Sequence, residues 1–191
     1  MTKQIISFDI GIKNMAYCIM QVNDDKTIFF KHLEVVNLNA GKNIQDIIDS
    51  TIEFLDEIIN NQTKIDTNIP LIILIESQMT SIMRCIQTTI NTYFKVIEKY
   101  EGMQIITKYL SAKHKLNLLN NYKDNYIAIP AKKEPTNKYK KNKLDSINFA
   151  KWLLETKYRN DNFLNYYNNI KKKDDVSDAF LMCVYYIDTN E

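Results

Sequence analysis

The sequence has little of several features that define particular protein classes. Its 191 residues include only three glycines and three prolines, which excludes collagen-like and low-complexity chains. Wholly apolar runs such as Leu71 to Ile75 are far short of the ~20 residues that a transmembrane helix needs. No cleavable leader pattern follows Met1. We therefore expect a soluble, untargeted chain with one domain over residues 1–191 and no membrane partner.

Cysteines are also scarce. Cys18, Cys85 and Cys183 form neither an even set nor a C-x-x-C pair, and each has apolar neighbours. This spacing argues against a disulfide framework and against a structural zinc site. It favours reduced cysteines packed in the core of a protein from an intracellular, reducing compartment.

Charge is unevenly distributed along the chain, although the net charge is only +2. Residues 108–143 contain ten basic and two acidic residues, whereas the segments on either side are net acidic. Such a basic block is a candidate contact surface for nucleic acid. A solvated, lysine-rich loop fits the same composition equally well.

Hydrophobic periodicity predicts an α/β chain. Strands are expected over residues 5–10, 15–22, 28–36, 71–75 and 103–109. Helices are expected over residues 44–59, 81–100, 111–121 and 138–158 and at the C-terminal end, where the buried stripe begins at Val176, with a loop over 122–137 and an Asn-rich connector over 160–169. The first two helices are expected to bury Ile44, Ile52 and Ile82. This order predicts a mixed five-stranded sheet with helices on both faces.

Four carboxylates stand at positions that an apolar core does not explain. Asp9 interrupts an apolar strand, and Glu76 ends a strand that is apolar on both faces. Asp175 and Asp178 are three residues apart and share one face of the last predicted helix. Each has a plain alternative, because Asp9 can face solvent, Glu76 can begin a surface loop, and the acidic pair can favour a helix N-terminus.

Taken together, these carboxylates predict one site of hard oxygen ligands. Such ligands suit Mg²⁺, with Mn²⁺ as a substitute, better than Zn²⁺. Two such ions would activate water and stabilise the leaving oxygen in phosphodiester cleavage. Histidine is not needed: we expect His32 to be structural, and His114 to face solvent or phosphate.

Three motifs, in order, resemble those of the RuvC-like Holliday junction resolvases. They are S-F-D-I-G-I-K-N-M-A-Y over residues 7–17, I-E-S-Q over residues 75–78 and K-K-D-D-V-S-D-A-F-L over residues 172–181. The likeness is greatest to the forms found in poxviruses and other large DNA viruses, which are related to fungal mitochondrial enzymes. It implies a ribonuclease H-like fold and a homodimer that nicks opposing strands of a four-way DNA junction. A viral chain would act in the host cytoplasm or a viral factory.

The resemblance also implies roles for individual residues. Asp9, Glu76, Asp175 and Asp178 would hold two metal ions. The basic residue near the scissile phosphate would be Lys115, Lys140 or Lys143, with Lys115 and Lys143 as the first candidates. The DNA-binding candidates are Lys13, Gln78, Met79, Lys113, Lys140 and Lys141, with Met79 as an apolar wedge. The helix that begins near Ser81 is the candidate dimer interface.

Two other functions fit part of the sequence. Asp9-Ile10-Gly11 also occurs in actin-like ATPases, but three glycines are too few to build their phosphate-binding turns. The second alternative is a catalytically silent, ribonuclease H-like module that binds branched DNA.

Overall fold

The computed structural model describes residues 1–41, 43–61, 63–111, 113–122, 125–126 and 137–190. For Lys113, Lys115, Leu116, Asn120 and Tyr139 it describes the backbone alone. The strands are β1 (Lys3–Asp9), β2 (Met15–Val22), β3 (Ile28–Val36), β4 (Leu71–Glu76) and β5 (Ile105–Leu110). The helices are α1 (Ile44–Ile59), α2 (Ser81–Glu101), α3 (Lys113–Asn121), α4 (Lys138–Glu155), α5 (Asp161–Asn169) and α6 (Lys173–Asn190).

The five strands form one mixed sheet in the order β3-β2-β1-β4-β5. β1, β2 and β3 pair antiparallel, whereas β4 pairs parallel with both β1 and β5. The carboxyl ends of β1, β4 and β5 therefore meet at one edge of the sheet, where ligands of open α/β sheets gather.

Helices cover both faces of the sheet, as predicted. On one face, α1 and α2 pack over a core that includes Phe8, Tyr17 and Phe94. On the other face, α6 lies against β1, β2 and β3, and α3 and α4 pack onto α6. Because α6 is covered from several sides, even its Ser177 is fully buried. No helix in the described ranges combines the length and apolarity needed to cross a bilayer.

The prediction of a connector over residues 160–169 is wrong, because residues Asp161–Asn169 form α5. Asn160 caps this helix by accepting a hydrogen bond from the Phe163 amide. Tyr167 is fully buried against the core around α6. A short amphipathic stripe and a cap thus outweigh the low helix propensity of an Asn-rich segment.

Other predicted bounds need smaller corrections. β5 begins at Ile105 rather than at residue 103, and α4 ends at Glu155. Most of the predicted loop over 122–137 lies outside the described residues. The predicted buried stripes are too wide, because Ile44, Ile52 and Ile82 are exposed. The face of α1 and α2 that points away from the sheet is thus partly apolar.

Polar side chains link β2, β3 and the segment before β4. Glu34 accepts hydrogen bonds from the Tyr17 hydroxyl and pairs with His32, each at 2.8 Å, and Lys64 lies 3.4 Å from the same carboxylate. His32 is therefore structural, as predicted. All three cysteines are free thiols, and Cys18 and Cys183 are buried in the core.

The Glu34 network predicts acid-sensitive stability. The hydrogen bond to His32, together with Tyr17 and Lys64, lowers the pKa of Glu34 from 4.5 to about 2. The ionised carboxylate therefore stabilises the fold above pH 4.5, and this contribution is lost as the pH falls toward 2. We expect Glu34→Gln to lower the melting temperature at pH 7 and to reduce its dependence on pH between 5 and 2.5, measured by circular dichroism. An unchanged pH profile would contradict this assignment.

Candidate active site

Asp9 and Glu76 are neighbours at the carboxyl edge of the sheet. Phe8 is paired with Ile75 in the parallel β1–β4 ladder, so the next residues, Asp9 and Glu76, end adjacent strands. Adjacent strands lie about 4.8 Å apart. Side chains alternate between the faces of a sheet, so Asp9 projects on the same face as Ser7, toward α6.

The Ser7 hydroxyl fixes α6 on β1. It donates a 2.6 Å hydrogen bond to the Ala179 carbonyl, and the Cys183 thiol lies 3.2 Å from it. Cys183 also lies near the Ile5 carbonyl, so α6 runs opposite to β1. The first turn of α6 is consequently directed toward the end of β1 that carries Asp9.

Asp9 and Asp175 line one cavity of about 580 Å³. The turn after β1 forms part of its wall and carries Gly11 and the exposed Lys13. A Cβ at Gly11 would lie 2.6 Å from the Asn14 carbonyl oxygen, so only glycine fits this close turn. Glu76 and Asp178 do not line this cavity.

Asp175 is poorly solvated and lies among like charges. Burial, followed by the charges of Asp174 and Asp178, raises the pKa of Asp175 above its usual range. Its Oδ2 atom is buried and has no hydrogen-bond partner among the described residues. An ionised carboxylate in this environment destabilises the fold unless a cation neutralises it.

Asp174 forms an ion pair with Lys143 of α4. The Lys143 Nζ atom lies 2.6 Å from Asp174 Oδ2. Burial opposes ionisation of Asp174, but the hydrogen bond and charge of Lys143 outweigh burial and lower the pKa of Asp174. Lys143 also lowers the pKa of Asp175, although less than burial and Asp174 raise it. Lys143 is thus close to the acidic side chains.

The segment after Glu76 is held at its base and exposed at its tip. Gln78 donates a 2.9 Å hydrogen bond to Glu76 Oε2, and the Gln78 backbone bonds to Gln87 and Arg84 of α2. Met79 is 90% exposed. An apolar side chain is therefore presented to solvent one residue from an ordered segment.

The remaining predicted DNA-binding residues divide into two groups. Lys140 and Lys141 are exposed on the first turn of α4, before Lys143. The side chains of Lys113 and Lys115 lie outside the described residues.

The prediction for His114 is wrong: its ring stacks on Tyr185 of α6 with a centroid distance of 4.7 Å, and its Nδ1 atom is buried. Stacking on an aromatic side chain of α6 thus determines where His114 lies, although the surrounding segment is basic.

Asp9 ends the strand next to that of Glu76 and shares a cavity with Asp175, but the predicted ligands are not arranged as a closed metal site. Within the described part of the chain, no three acidic, histidine or cysteine side chains are arranged to hold a metal ion. Glu76 instead accepts a hydrogen bond from Gln78. The donor set is nevertheless all oxygen, and the buried Asp175 Oδ2 atom has no hydrogen-bond partner among the described residues. The chemical type of these ligands therefore fits a hard divalent cation.

Comparison with known proteins identifies the fold. No family model and no curated protein matches the chain. The crystal structure of the yeast mitochondrial Holliday junction resolvase Ydc2 is similar, with a TM-score of 0.65 and 18% identity over 96% of this chain and 78% of that chain. The Thermus thermophilus RuvC structure has a TM-score of 0.48 and 11% identity, and the match covers 99% of this chain and 96% of that chain. T. thermophilus RuvC in complex with Holliday junction substrate has a TM-score of 0.47 and 11% identity, and the match covers 100% of this chain and 97% of that chain.

The likeness to Ydc2 shows that the fold is α/β and ribonuclease H-like, as predicted. The viral branch of the family remains a prediction.

Sequence reasoning missed three residues that support the site. Ser7 and Asp174 lie within the motifs, but the sequence gives neither of them a role of its own. Tyr167 was overlooked because its helix was predicted as a connector. Phe163, Leu164 and Tyr167 follow the capping Asn160 at helical spacing, and this signal could have indicated α5.

The electrostatics of Asp175 predict opposite effects of one substitution with and without metal. Asp175→Asn removes an unfavourable buried charge, so we expect its melting temperature in EDTA to exceed that of the wild type. Mn²⁺ at 100 times its Kd should raise the wild-type melting temperature by about 5–10 °C, and the variant should lose this response. Differential scanning calorimetry measures both effects.

Asp24→Asn is the matched control, because Asp24 is exposed and lies beyond the amino end of β1. Its response to Mn²⁺ should equal that of the wild type. An Asp175→Asn variant with the full wild-type response to Mn²⁺ would remove Asp175 from the ligand set.

Proposed function

We propose that this protein is a divalent-metal-dependent endonuclease that resolves four-way DNA junctions. The observation that carries the proposal is the arrangement of carboxylates, in which Asp9 and Glu76 end adjacent strands and the acidic first turn of α6 lies beside them. The order of the three motifs and the likeness to a yeast Holliday junction resolvase support it.

Asp9, Glu76, Asp175 and Asp178 are the residues that would hold two Mg²⁺ or Mn²⁺ ions. When bound, such ions activate water and stabilise charge on the leaving oxygen. The chain's own acidic groups repel a phosphate backbone until their charge is balanced. Lys143, paired with Asp174 at the edge of the site, supplies positive charge to the reacting phosphate.

Exposed lysines near the site supply further contacts to DNA. Lys13 lines the cavity that contains Asp9, and Lys140 and Lys141 precede Lys143 on α4. Phosphate contacts of this kind give affinity without sequence preference. Gln78 and the exposed Met79 would meet the junction, where an apolar side chain can separate stacked bases. The roles of Lys113 and Lys115 remain predictions.

A homodimer would place two such sites on one junction, as paired nicks require. The outer face of α1 and α2 supports it, because Ile52 and Val96 are both exposed there. An apolar groove of about 630 Å³ between the two helices contains Ile52 and Val96. Contiguous exposed apolar surface of this kind marks an interaction site.

Junction cleavage tests the proposed chemistry. With Mg²⁺, the wild type should nick a synthetic four-way junction at symmetric positions on two opposing strands, resolved on denaturing gels. Asp9→Asn, Glu76→Gln and Asp178→Asn should each lower the single-turnover rate by at least about 10²- to 10³-fold, because each removes charge at the reacting centre. Junction binding should persist in all three variants.

Asp24→Asn is again the matched control and should retain the wild-type rate. Full activity of Asp9→Asn would remove Asp9 from the mechanism. Tight junction binding by the wild type without cleavage in Mg²⁺ or Mn²⁺ would instead support the catalytically silent alternative.

Oligomeric state tests the proposed dimer. We expect the wild type to sediment as a dimer at micromolar concentration and the double variant Ile52→Glu/Val96→Glu to sediment as a monomer, because two charges in the groove oppose its burial. Phe29→Glu, at an exposed apolar position of β3, should remain dimeric. A monomeric wild type, or a dimeric double variant, would contradict this interface.

A further inference from the structure

Two hydrogen-bonded contacts join α4 to α6 beside the candidate site. In the first, Lys143 of α4 pairs with Asp174 of α6 at 2.6 Å. In the second, the Tyr167 hydroxyl donates to the Ile147 carbonyl of α4 at 2.9 Å and shares a 2.6 Å hydrogen bond with the Ser177 hydroxyl of α6.

The two contacts lie one helical turn apart on the same interface. Lys143 precedes Ile147 by four residues on α4, and Asp174 precedes Ser177 by three on α6, so each pair shares a helix face. Tyr167 is fully buried, whereas Asp174 and Lys143 retain 22% and 39% exposure. The buried contact fixes the two helices, and the contact nearer the site fixes the lysine.

Stability alone does not explain why Asp174 is present. A partly exposed ion pair contributes little to folding free energy. Asp174 also adds negative charge beside Asp175, which already lies among like charges and is poorly solvated. What Asp174 provides at this point of the chain is a fixed position for the Lys143 ammonium group.

We propose that Asp174 is a positioning residue that, with Tyr167, holds the Lys143 ammonium group at the edge of the acidic site before DNA binds. This inference rests on the proposed function and adds a residue to it. Preorganisation of this kind lowers the cost of placing charge where it develops during the reaction.

A double-mutant cycle tests the inference. We expect Asp174→Asn to lower the single-turnover rate of junction cleavage by about 10- to 100-fold, the loss typical of a misplaced catalytic group. Junction affinity in EDTA should change little, because the lysine charge remains. In the Lys143→Met background, Asp174→Asn should lower the rate no further, because the group that it positions is already gone.

Conservative variants separate positioning from a general structural role. Asp174→Glu keeps the charge and should recover part of the rate that Asp174→Asn loses. Tyr167→Phe should lower the rate in the wild type but not in Lys143→Met. Tyr158→Phe is its matched control, because Tyr158 is a buried tyrosine whose hydroxyl takes no part in the two contacts, and it should retain the rate.

The outcomes separate this inference from the proposed function. Independent, multiplicative losses from Asp174→Asn and Lys143→Met would overturn the positioning role while leaving the nuclease intact. A faster or tighter-binding Asp174→Asn variant would overturn it too, since Asp174 would then withhold the lysine from DNA. A wild type that binds junctions but cleaves none would end both proposals.

Discussion

The candidate site depends on how α6 is seated on β1. The hydroxyl of Ser7, buried two residues before Asp9, donates to the Ala179 carbonyl. This bond, reinforced by the Cys183 thiol, fixes both the height and the direction of α6 on the sheet. Asp9 of β1 and Asp175 of α6, which are far apart in sequence, line one cavity because of this contact.

The position of α6 also depends on the helices that pack against its other sides. α6 is buried nearly all round, so its position is determined by the sheet on one side and by α3, α4 and α5 on the others. Tyr167 of α5 connects two of these layers through one hydroxyl group. The segment that looked least structured in sequence therefore helps to set the geometry beside the acidic residues.

Much of this arrangement could be predicted from the sequence, for definable reasons. Alternation along β1 and the apolar run of β4 indicate buried strands, and carboxylates at the ends of such strands stand out against apolar neighbours. The pairing of Lys143 with Asp174 could not be predicted, because 31 residues separate them and several lysines compete for the role. Exposure on α1 and α2 was also missed, since periodicity shows which face is apolar but not whether another chain covers it.

The direction of α6 has a further electrostatic consequence. Its 18 residues begin at the acidic site, so the positive end of the helix dipole lies at Asp174 and Asp175 in the first turn. Part of the repulsion among the carboxylates is thereby offset by the polypeptide itself. The proposed cation site is thus partly neutralised before any ion binds.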